Sequence, residues 1–399
     1  MKITRVQLGD IIESANPGFA SGENVATGVV QLRMNNVVTD GSLDWTSLRR
    51  VPAEGEKLKK YSLRPGDIVF NSTNSPELVG KTALFAGFKE PVLFSNHFLR
   101  VRVNRDAAEP GFVARWINFR WQQRQFEGLC TRWVNQASVR KEDLLDLCVE
   151  LPPLPEQRRI AGVLDQADRL RRTRRYALEL SDNFLKAVFL EMFSDPSKRF
   201  DTVELEEIAR DVPHALSSGP FGSNLTSVDY VTEGVPILRG LNVTGGRLDL
   251  DDLVYVTEAK ATELTRSEVR PGDIVIVAVG ASGLACQVTQ CLPRAIMSQN
   301  FNKVTPCPKK VEASFVEFCI NSQIVQRQLK QEITDTVRTF LSLTKLKKVK
   351  IPLPPIALQR TFSEIVQRSE RLRAVQREAL RQAEHLFQSL LHRAFTTGL

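Results

Sequence analysis

The chain is written twice. Leu151-Pro152-Pro153-Leu154-Pro155-Glu156-Gln157-Arg158 returns 202 residues later as Leu353-Pro354-Pro355-Ile356-Ala357-Leu358-Gln359-Arg360, and Arg169-Leu170-Arg171 returns at the same offset as Arg371-Leu372-Arg373. Solenoid units run about 20–50 residues, so a repeat this long is a duplicated module rather than a stacking unit. Each copy is a domain followed by a helix. Two similar modules suit a target with two similar halves, and duplex DNA read at two half-sites is the first candidate.

The repeat extends through both halves. Arg64-Pro65-Gly66-Asp67-Ile68-Val69 matches Arg270-Pro271-Gly272-Asp273-Ile274-Val275, and Ser95-Asn96-His97-Phe98 matches Ser298-Gln299-Asn300-Phe301. Leu32-Arg33 with Asn36-Val37 matches Leu238-Arg239 with Asn242-Val243, and Phe112-Val113 with Ile117-Asn118 matches Phe315-Val316 with Ile320-Asn321. The offset drifts between 202 and 206, as insertions in surface loops would cause. Between these anchors the halves diverge, which predicts a shared scaffold carrying different surfaces.

A chain of 399 residues is long for one core and comfortable for two domains. Apolar content of 42% and charged content of 25% are ordinary for a globular protein. No apolar run approaches the roughly 20 residues of a membrane span. Met1-Lys2-Ile3-Thr4-Arg5 leads into no apolar signal core, so a cytoplasmic location and no membrane contact are expected. The six cysteines, Cys130, Cys148, Cys286, Cys291, Cys307 and Cys319, form no C-x-x-C pair and fit no zinc spacing. Reduced thiols are expected. The net charge of +8 suits an anionic partner. Much of the excess lies on two helical segments, including Arg169, Arg171, Arg172, Arg174 and Arg175, which either face solvent and partners or meet phosphate.

Local pattern supplies the elements. Val29-Val30-Gln31-Leu32, Asp67-Ile68-Val69-Phe70 and Phe98-Leu99-Arg100-Val101-Arg102-Val103 read as strands, and Ile274–Val279 as a buried strand. Pro65-Gly66-Asp67 reads as a turn. Residues 112–127 read as one helix carrying Trp116, Phe119 and Trp121. The segment 151–155 is a stiff extended connector. From Glu156 to Met192, apolar residues recur at three- and four-residue spacing through Ile160, Val163, Leu164, Ala167, Leu170, Ala177, Phe184, Leu185 and Val188. Asp195-Pro196-Ser197 should end that helix. A second helix over 359–395 carries Phe362, Ile365, Val366, Leu372, Val375, Ala379, Ala383, Leu386, Phe387, Leu390 and Leu391. Each spans about 36 residues, or roughly 54 Å. An apolar stripe that long needs a covering partner, so the two helices should pack on each other.

These residues resemble the specificity subunits of Type I restriction-modification enzymes over nearly the full length. The strongest likeness is Val149-Glu150-Leu151-Pro152-Pro153-Leu154-Pro155-Glu156-Gln157-Arg158-Arg159-Ile160; the second copy departs from the family's form at Ile356-Ala357-Leu358. Ser218-Gly219-Pro220-Phe221-Gly222-Ser223 also resembles a loop found early in these recognition domains, with Asn16-Pro17-Gly18-Phe19 as a faint counterpart. The resemblance implies an α+β fold. Two similar mixed α/β target-recognition domains (1–150 and 196–350) would be separated by two long helices (151–195 and 351–399). These helices would form an antiparallel coiled coil with pseudo-twofold symmetry. It implies that each domain reads one half of a bipartite site in double-stranded DNA, while the helices set the unread spacer. Two methyltransferase subunits would dock on the helices and motor-nuclease subunits would join them. S-adenosylmethionine, ATP and Mg would belong to those partners, with no cofactor, metal site or catalytic residue in this chain. A 54 Å helix spans at most about 16 base pairs, and half-sites about one turn apart are expected.

Candidate DNA contacts are Arg33, Asn35, Asn36, Lys57, Lys59 and Lys60 in the first half. In the second they are Ser218, Gly219, Phe221, Gly222 and Ser223, with Arg239 and Asn242. Amides and guanidiniums suit base edges and lysines suit phosphates. Gln157, Arg158, Gln359 and Arg360 are expected to organise helix starts. No (N/D)-P-P-(Y/F) methyltransferase motif and no phosphate-binding G-x-x-x-x-G-K-(S/T) loop occurs. Asp252 with Glu258-Ala259-Lys260 only faintly resembles a nuclease set, and His97, His214, His385 and His392 are scattered. Three rival readings are a fused methyltransferase-nuclease, a coiled-coil adaptor for proteins, and a specificity subunit of a related phage-defence system.

Overall fold

The computed structural model describes residues 3–134, 136–193, 200–280, 283–332 and 340–396. The Asp195-Pro196-Ser197 helix stop lies outside them. The described residues form two compact units, one running up to Tyr176 and resuming at Glu378, the other running from Ala177 to Arg377.

In the first unit, one antiparallel sheet has the strand order Ile12–Pro17, Phe98–Val103, Ile68–Asn71, Thr82–Leu84. A second sheet has the order Arg49–Val51, Val29–Leu32, Val92–Phe94, its last pair parallel. Ile68–Asn71 is buried throughout because both of its faces are covered. Ile68 and Phe70 point into a core with Leu99, Val101 and the helix residues Phe112, Val113 and Ile117. Val69 points the other way, between the sheets, with Val30, Leu32 and Phe98. This is the period-two alternation of a pleated strand.

The second unit repeats the plan. Its sheets run Leu216–Ser218, Phe301–Val304, Ile274–Val277, Ala285–Gln287, and Val254–Val256, Val235–Leu238, Ala295–Met297, Glu268–Val269. Ile274 and Ile276 face Phe315 and Val316, whereas Val275 and Val277 face Leu238 and Phe301. The predicted turn at Pro65-Gly66-Asp67 holds and recurs in the matching segment: Gly66 and Gly272 sit at φ +97° and +94°, and the Asp67 and Asp273 carboxylates accept the N–H groups of Arg64 and Arg270.

One predicted helix is two. The segment expected over 112–127 forms Pro110–Gln122 and Gln125–Leu129, broken where Arg124 takes the left-handed region at φ +57°. The reversal carries Phe126 back into the core against Phe70.

The connectors are shorter than expected. Cys148–Leu151 pairs antiparallel with Thr4–Gln7, and Lys350–Pro352 with Thr202–Glu204. The long helices then start at once, as Leu154–Phe193 and Ile356–Thr396, of 40 and 41 residues. Pro155 is accommodated in a first helical turn, where no backbone donor is missed. A buried glutamine braces each start. Gln157 accepts the Glu109 N–H at 2.9 Å and donates to the Pro152 carbonyl at 2.8 Å. Gln359 does the same with Glu312 N–H at 3.0 Å and the Pro354 carbonyl at 2.8 Å. Arg158 and Arg360 reach Glu109 and Glu312 outside these bonds.

Within the first unit, the start of the first long helix and the end of the second share the core, through Ile160, Leu164, Phe387 and Leu391. Within the second unit, Phe189 and Phe193 pack on Phe362. The predicted stripes are corrected in part: Leu170, Phe184, Leu372, Val375 and Leu386 are exposed, as are Tyr176 and Leu180. The arginine run is corrected too. Arg171 is buried over the Phe387 ring at 4.0 Å and bonds Asp168 and the Asp40 carbonyl, while Arg175 bridges Asp40 and Glu384. Arg169, Arg172 and Arg174 keep exposed surface. Burial pushes the Asp168 carboxyl up, but the charges of Arg115, Arg171 and Arg172 outweigh it and hold it below the usual range.

No helix among the described residues is long and apolar enough to cross a membrane. The six cysteines are free thiols.

Two outcomes test this packing. Replacing Gln157 or Gln359 by Ala strands a backbone donor and acceptor, and each should destabilise by about 2–4 kcal/mol in thermal or denaturant unfolding. Glu317, on the helix Ala313–Ile320, is pushed up to about 8 from 4.5 by burial, with Glu370 adding to the shift and a Gln287 backbone bond and Arg247 opposing it. The folded state therefore holds this proton where the unfolded chain releases it, so stability falls as pH rises from 4.5 to about 8. Glu317→Gln should raise Tm relative to the parent near pH 9 and give no gain near pH 4; an equal offset at both would refute the assignment.

Candidate nucleic-acid interface

In each unit one tight turn gathers the loops. In the first it is Ser95-Asn96-His97, linking the second sheet to the first, closed by the Phe98 N–H donating to the Ser95 carbonyl at 3.1 Å. Three backbone segments join it. Ser95 N–H donates to Leu32 O at 3.0 Å, which places the Arg33–Asn36 turn alongside. Gly18 N–H donates to Phe98 O, and Asn96 N–H donates to Phe19 O, both at 3.2 Å. Ser72 and Thr73 N–H groups donate to His97 O at 2.9 and 3.2 Å.

The second unit builds the same hub on Ser298-Gln299-Asn300. Phe301 N–H donates to Ser298 O at 3.2 Å, Ser298 N–H to Leu238 O at 2.8 Å, Gly219 N–H to Phe301 O at 2.9 Å, and Ala278 N–H to Asn300 O at 2.7 Å. Gly18 and Gly219 are needed for the approach: a Cβ on either would overlap the carbonyl oxygen of Ser95 or Ser298. The faint likeness of Asn16–Phe19 to the Ser218–Ser223 loop therefore has a backbone cause.

The hub displays different side chains in the two units. Asn96 and Gln299 are exposed and His97 and Asn300 half-buried. The hydroxyls of Ser95 and Ser298 and the His97 Nδ1 are buried with no hydrogen-bond partner among the described residues. The exposed amides of Asn96 and Gln299 offer donors and acceptors of the kind that read base edges.

The predicted contacts divide. Arg33 and Asn35 are exposed beside the first hub. Lys57, Lys59 and Lys60 lie exposed on the helix Gly55–Tyr61, with the Lys57 ammonium 4.2 Å over the ring of Phe19. Phe221 is 69% exposed, and Gly222 and Ser223 are exposed with it. Ser218 turns inward, its hydroxyl donating to the Asn302 carboxamide at 2.8 Å, and Gly219 is buried at the close approach.

Asn36 and Asn242 are corrections. Both are buried and their amides are committed internally. Asn36 accepts the Arg33 N–H and donates to the carbonyls of Asp44 and Ser47; Asn242 accepts the Arg239 N–H and donates to those of Asp249 and Asp252. They tie off their turns. Arg239 is also engaged, with the carbonyl and carboxylate of Asp252 at 2.8 and 3.1 Å.

Asn96, His97, Gln299 and Asn300, which the hub displays, were not among the expected contacts, although the repeated Ser-x-x-Phe motif marked their place. The faint nuclease set does not converge: Asp252 binds Arg239, Glu258 binds Arg294, and Lys260 sits between Asp229 and Glu263. Among the described residues no group of His, Cys, Asp and Glu is placed to hold a metal ion.

Residues 4–180 match the family model described as the Type I restriction modification DNA specificity domain. The putative type I restriction enzyme MjaX specificity subunit of Methanocaldococcus jannaschii is 27% identical over 98% of this chain and 92% of its own length. The type I restriction enzyme EcoBI specificity subunit of Escherichia coli is 25% identical over 98% and 85%. The crystal structure of a Type-I restriction-modification system S subunit from M. genitalium superposes with a TM-score of 0.63 at 15% identity, over 99% of this chain and 96% of that one. A chain from a study of type I R-M complex assembly and conformational transition gives 0.56 at 19%, over 100% and 98%. At these identities the structural likeness is one of fold.

Gly18→Ala and Gly219→Ala should each destabilise by about 1–3 kcal/mol through overpacking against backbone. Gly222→Ala, whose Cβ meets open space, should lose less, the cost being only its positive φ of +51°. Equal losses at 219 and 222 in thermal unfolding would argue against the close approach.

Proposed function

We propose, from the chain's likeness to the Type I restriction-modification specificity subunits, that it is the sequence-reading component of such a complex. Residues 1–150 and 196–350 form the two target-recognition domains, and each reads one half of a bipartite site in double-stranded DNA. One observation carries this reading: the same backbone hub is built twice and shows different side chains each time, as two readers of unlike half-sites require.

The hub supplies the base contacts through Asn96 and His97 in the first domain and Gln299 and Asn300 in the second. Arg33, Asn35, Lys57, Lys59 and Lys60 flank the first hub, and Phe221, Gly222 and Ser223 the second. Amide groups read base edges, and the exposed lysines meet phosphate.

The two long helices pair as an antiparallel coiled coil with pseudo-twofold symmetry and set the spacer. Their exposed apolar residues, including Leu180, Phe184, Leu372 and Val375, support docking of two methyltransferase subunits, since an apolar face of this kind marks a protein contact. Motor-nuclease subunits complete the assembly in the cytoplasm. S-adenosylmethionine, ATP and Mg belong to those partners, which perform the chemistry, and this chain is non-catalytic.

Expression with the neighbouring methyltransferase subunit in a methylation-free host, followed by long-read mapping of modified bases, should reveal a split motif with one modified base in each half. Exchanging residues 1–150 for those of a relative should change one half alone. A continuous motif, or none from an assembled complex, would overturn the reading.

A further inference from the structure

The first unit carries a projection that no resemblance points to. Thr131–Arg132 and Ala137–Ser138 form a two-stranded hairpin whose second strand pairs with Thr73–Asn74, directly beside the hub. Its base is rigid. Ala137 and Val139 are buried with Phe126 in the main core, and the Val139 N–H donates to the Ser72 carbonyl at 3.0 Å. Ser72 in turn donates to His97 O, so the hairpin and the hub share one backbone network.

Two side chains beyond the first strand are apolar and bare. Trp133 is 60% exposed and Val134 98% exposed. The Trp133 N–H donates back to the Gln136 carbonyl at 2.7 Å, which holds the tip closed while its ring pairs with no other ring among the described residues. Among the described residues, the exposed large apolar side chains of this unit outside the long helices are Ile3, Leu129, Trp133 and Val134, the last two on this hairpin and Leu129 on the helix just before it. Tryptophan carries a large apolar area whose exposure is costly, so its position on an anchored hairpin calls for a partner.

The shoulders are mixed in charge. Arg132 is exposed with one N–H on the Glu127 carbonyl at 3.2 Å, and Arg124 is 81% exposed, 3.7 Å from the Glu127 carboxylate. Glu77 lies beside both guanidinium groups. Such a neighbourhood makes a weak phosphate clamp. Exposed apolar side chains on a hairpin anchored at its base, sharing a backbone network with the polar hub, fit insertion into a DNA groove instead.

We propose that the hairpin of Thr131–Arg132 and Ala137–Ser138 is a DNA-reading finger of the first domain, with Trp133 and Val134 pressed against base edges of its half-site. The proposal rests on the DNA-recognition reading above and adds the residues that determine one half of the motif.

The test uses the complex assembled with the methyltransferase subunit, comparing the parent with Trp133→Ala, Trp133→Phe and Val134→Ser. The motif mapped for the parent defines a duplex for fluorescence anisotropy and a second duplex scrambled in the first domain's half. Trp133→Ala should weaken binding to the intact duplex about tenfold or more, as loss of a stacked or buried aromatic contact does. It should also relax one half of the methylation motif and leave the other unchanged, with Trp133→Phe recovering most of the loss. Because both tip residues are exposed, folding and assembly should be unaffected. Parental affinity and an unchanged motif in Trp133→Ala and Val134→Ser would overturn the finger while leaving the DNA reading intact. Failure of Trp133→Ala to assemble with the methyltransferase subunit would overturn it in favour of a protein contact. A parent complex with no sequence-selective binding would bring down the underlying reading itself.

Discussion

A single buried amide in each module ties the sheet-bearing part to the long helix that follows it. Gln157 and Gln359 each bond a helix N-terminus on one side and the connector carbonyl on the other. Both side-chain ends are satisfied, so burying them is tolerated, and either bond lost would leave an unpaired backbone group in the interior. The brace fixes where each helix leaves its domain. A helix of 40 residues extends about 60 Å, so a few degrees of slack at its start would become ångströms at its far end. The adjoining arginines are more exposed and contribute less to this constraint.

The hubs follow a related logic. Their closure is made from backbone groups, with the Ser-x-x-Phe turn accepting or donating to three neighbouring segments in each unit. Backbone bonds do not depend on side-chain identity. The displayed residues can therefore change from Asn96 and His97 to Gln299 and Asn300 without loss of the scaffold. The glycines cannot change, because Gly18 and Gly219 are where two backbones touch. This arrangement lets one fold support two unlike surfaces, and it explains why the duplication persists as short framework segments separated by divergence.

Charge is used differently from what composition implies. Arg171, the one residue of the Arg-Leu-Arg repeat in the first helix that is buried, is held over Phe387 and against Asp168, with Asp40 completing the cluster. A buried cation of this kind must be paired, and its polar partners come from a loop and from its own helix, with the Phe387 ring of the second long helix against it. The positive excess is thus partly internal, while apolar side chains such as Phe184, Leu372 and Val375 occupy the surface.

The repeat, the two long helices, the central strands and the turns at Gly66 and Gly272 were legible in the sequence, because each follows from local periodicity or from the torsions a residue permits. Even the helical bracing by Gln157 and Gln359 followed from where they recur. What the sequence could not decide is which polar residues face outward. Asn36 and Asn242 look like readers of bases and are turn ties, since their carbonyl partners at Asp44, Ser47, Asp249 and Asp252 come from the far side of each loop. The break at Arg124, the exposure of Leu170 and Phe184, and the projection of Trp133 likewise depend on what lies across the fold. Periodicity records that a residue is apolar and on a given face; only the tertiary structure determines whether anything covers that face, because burial is a property of neighbours distant in the chain.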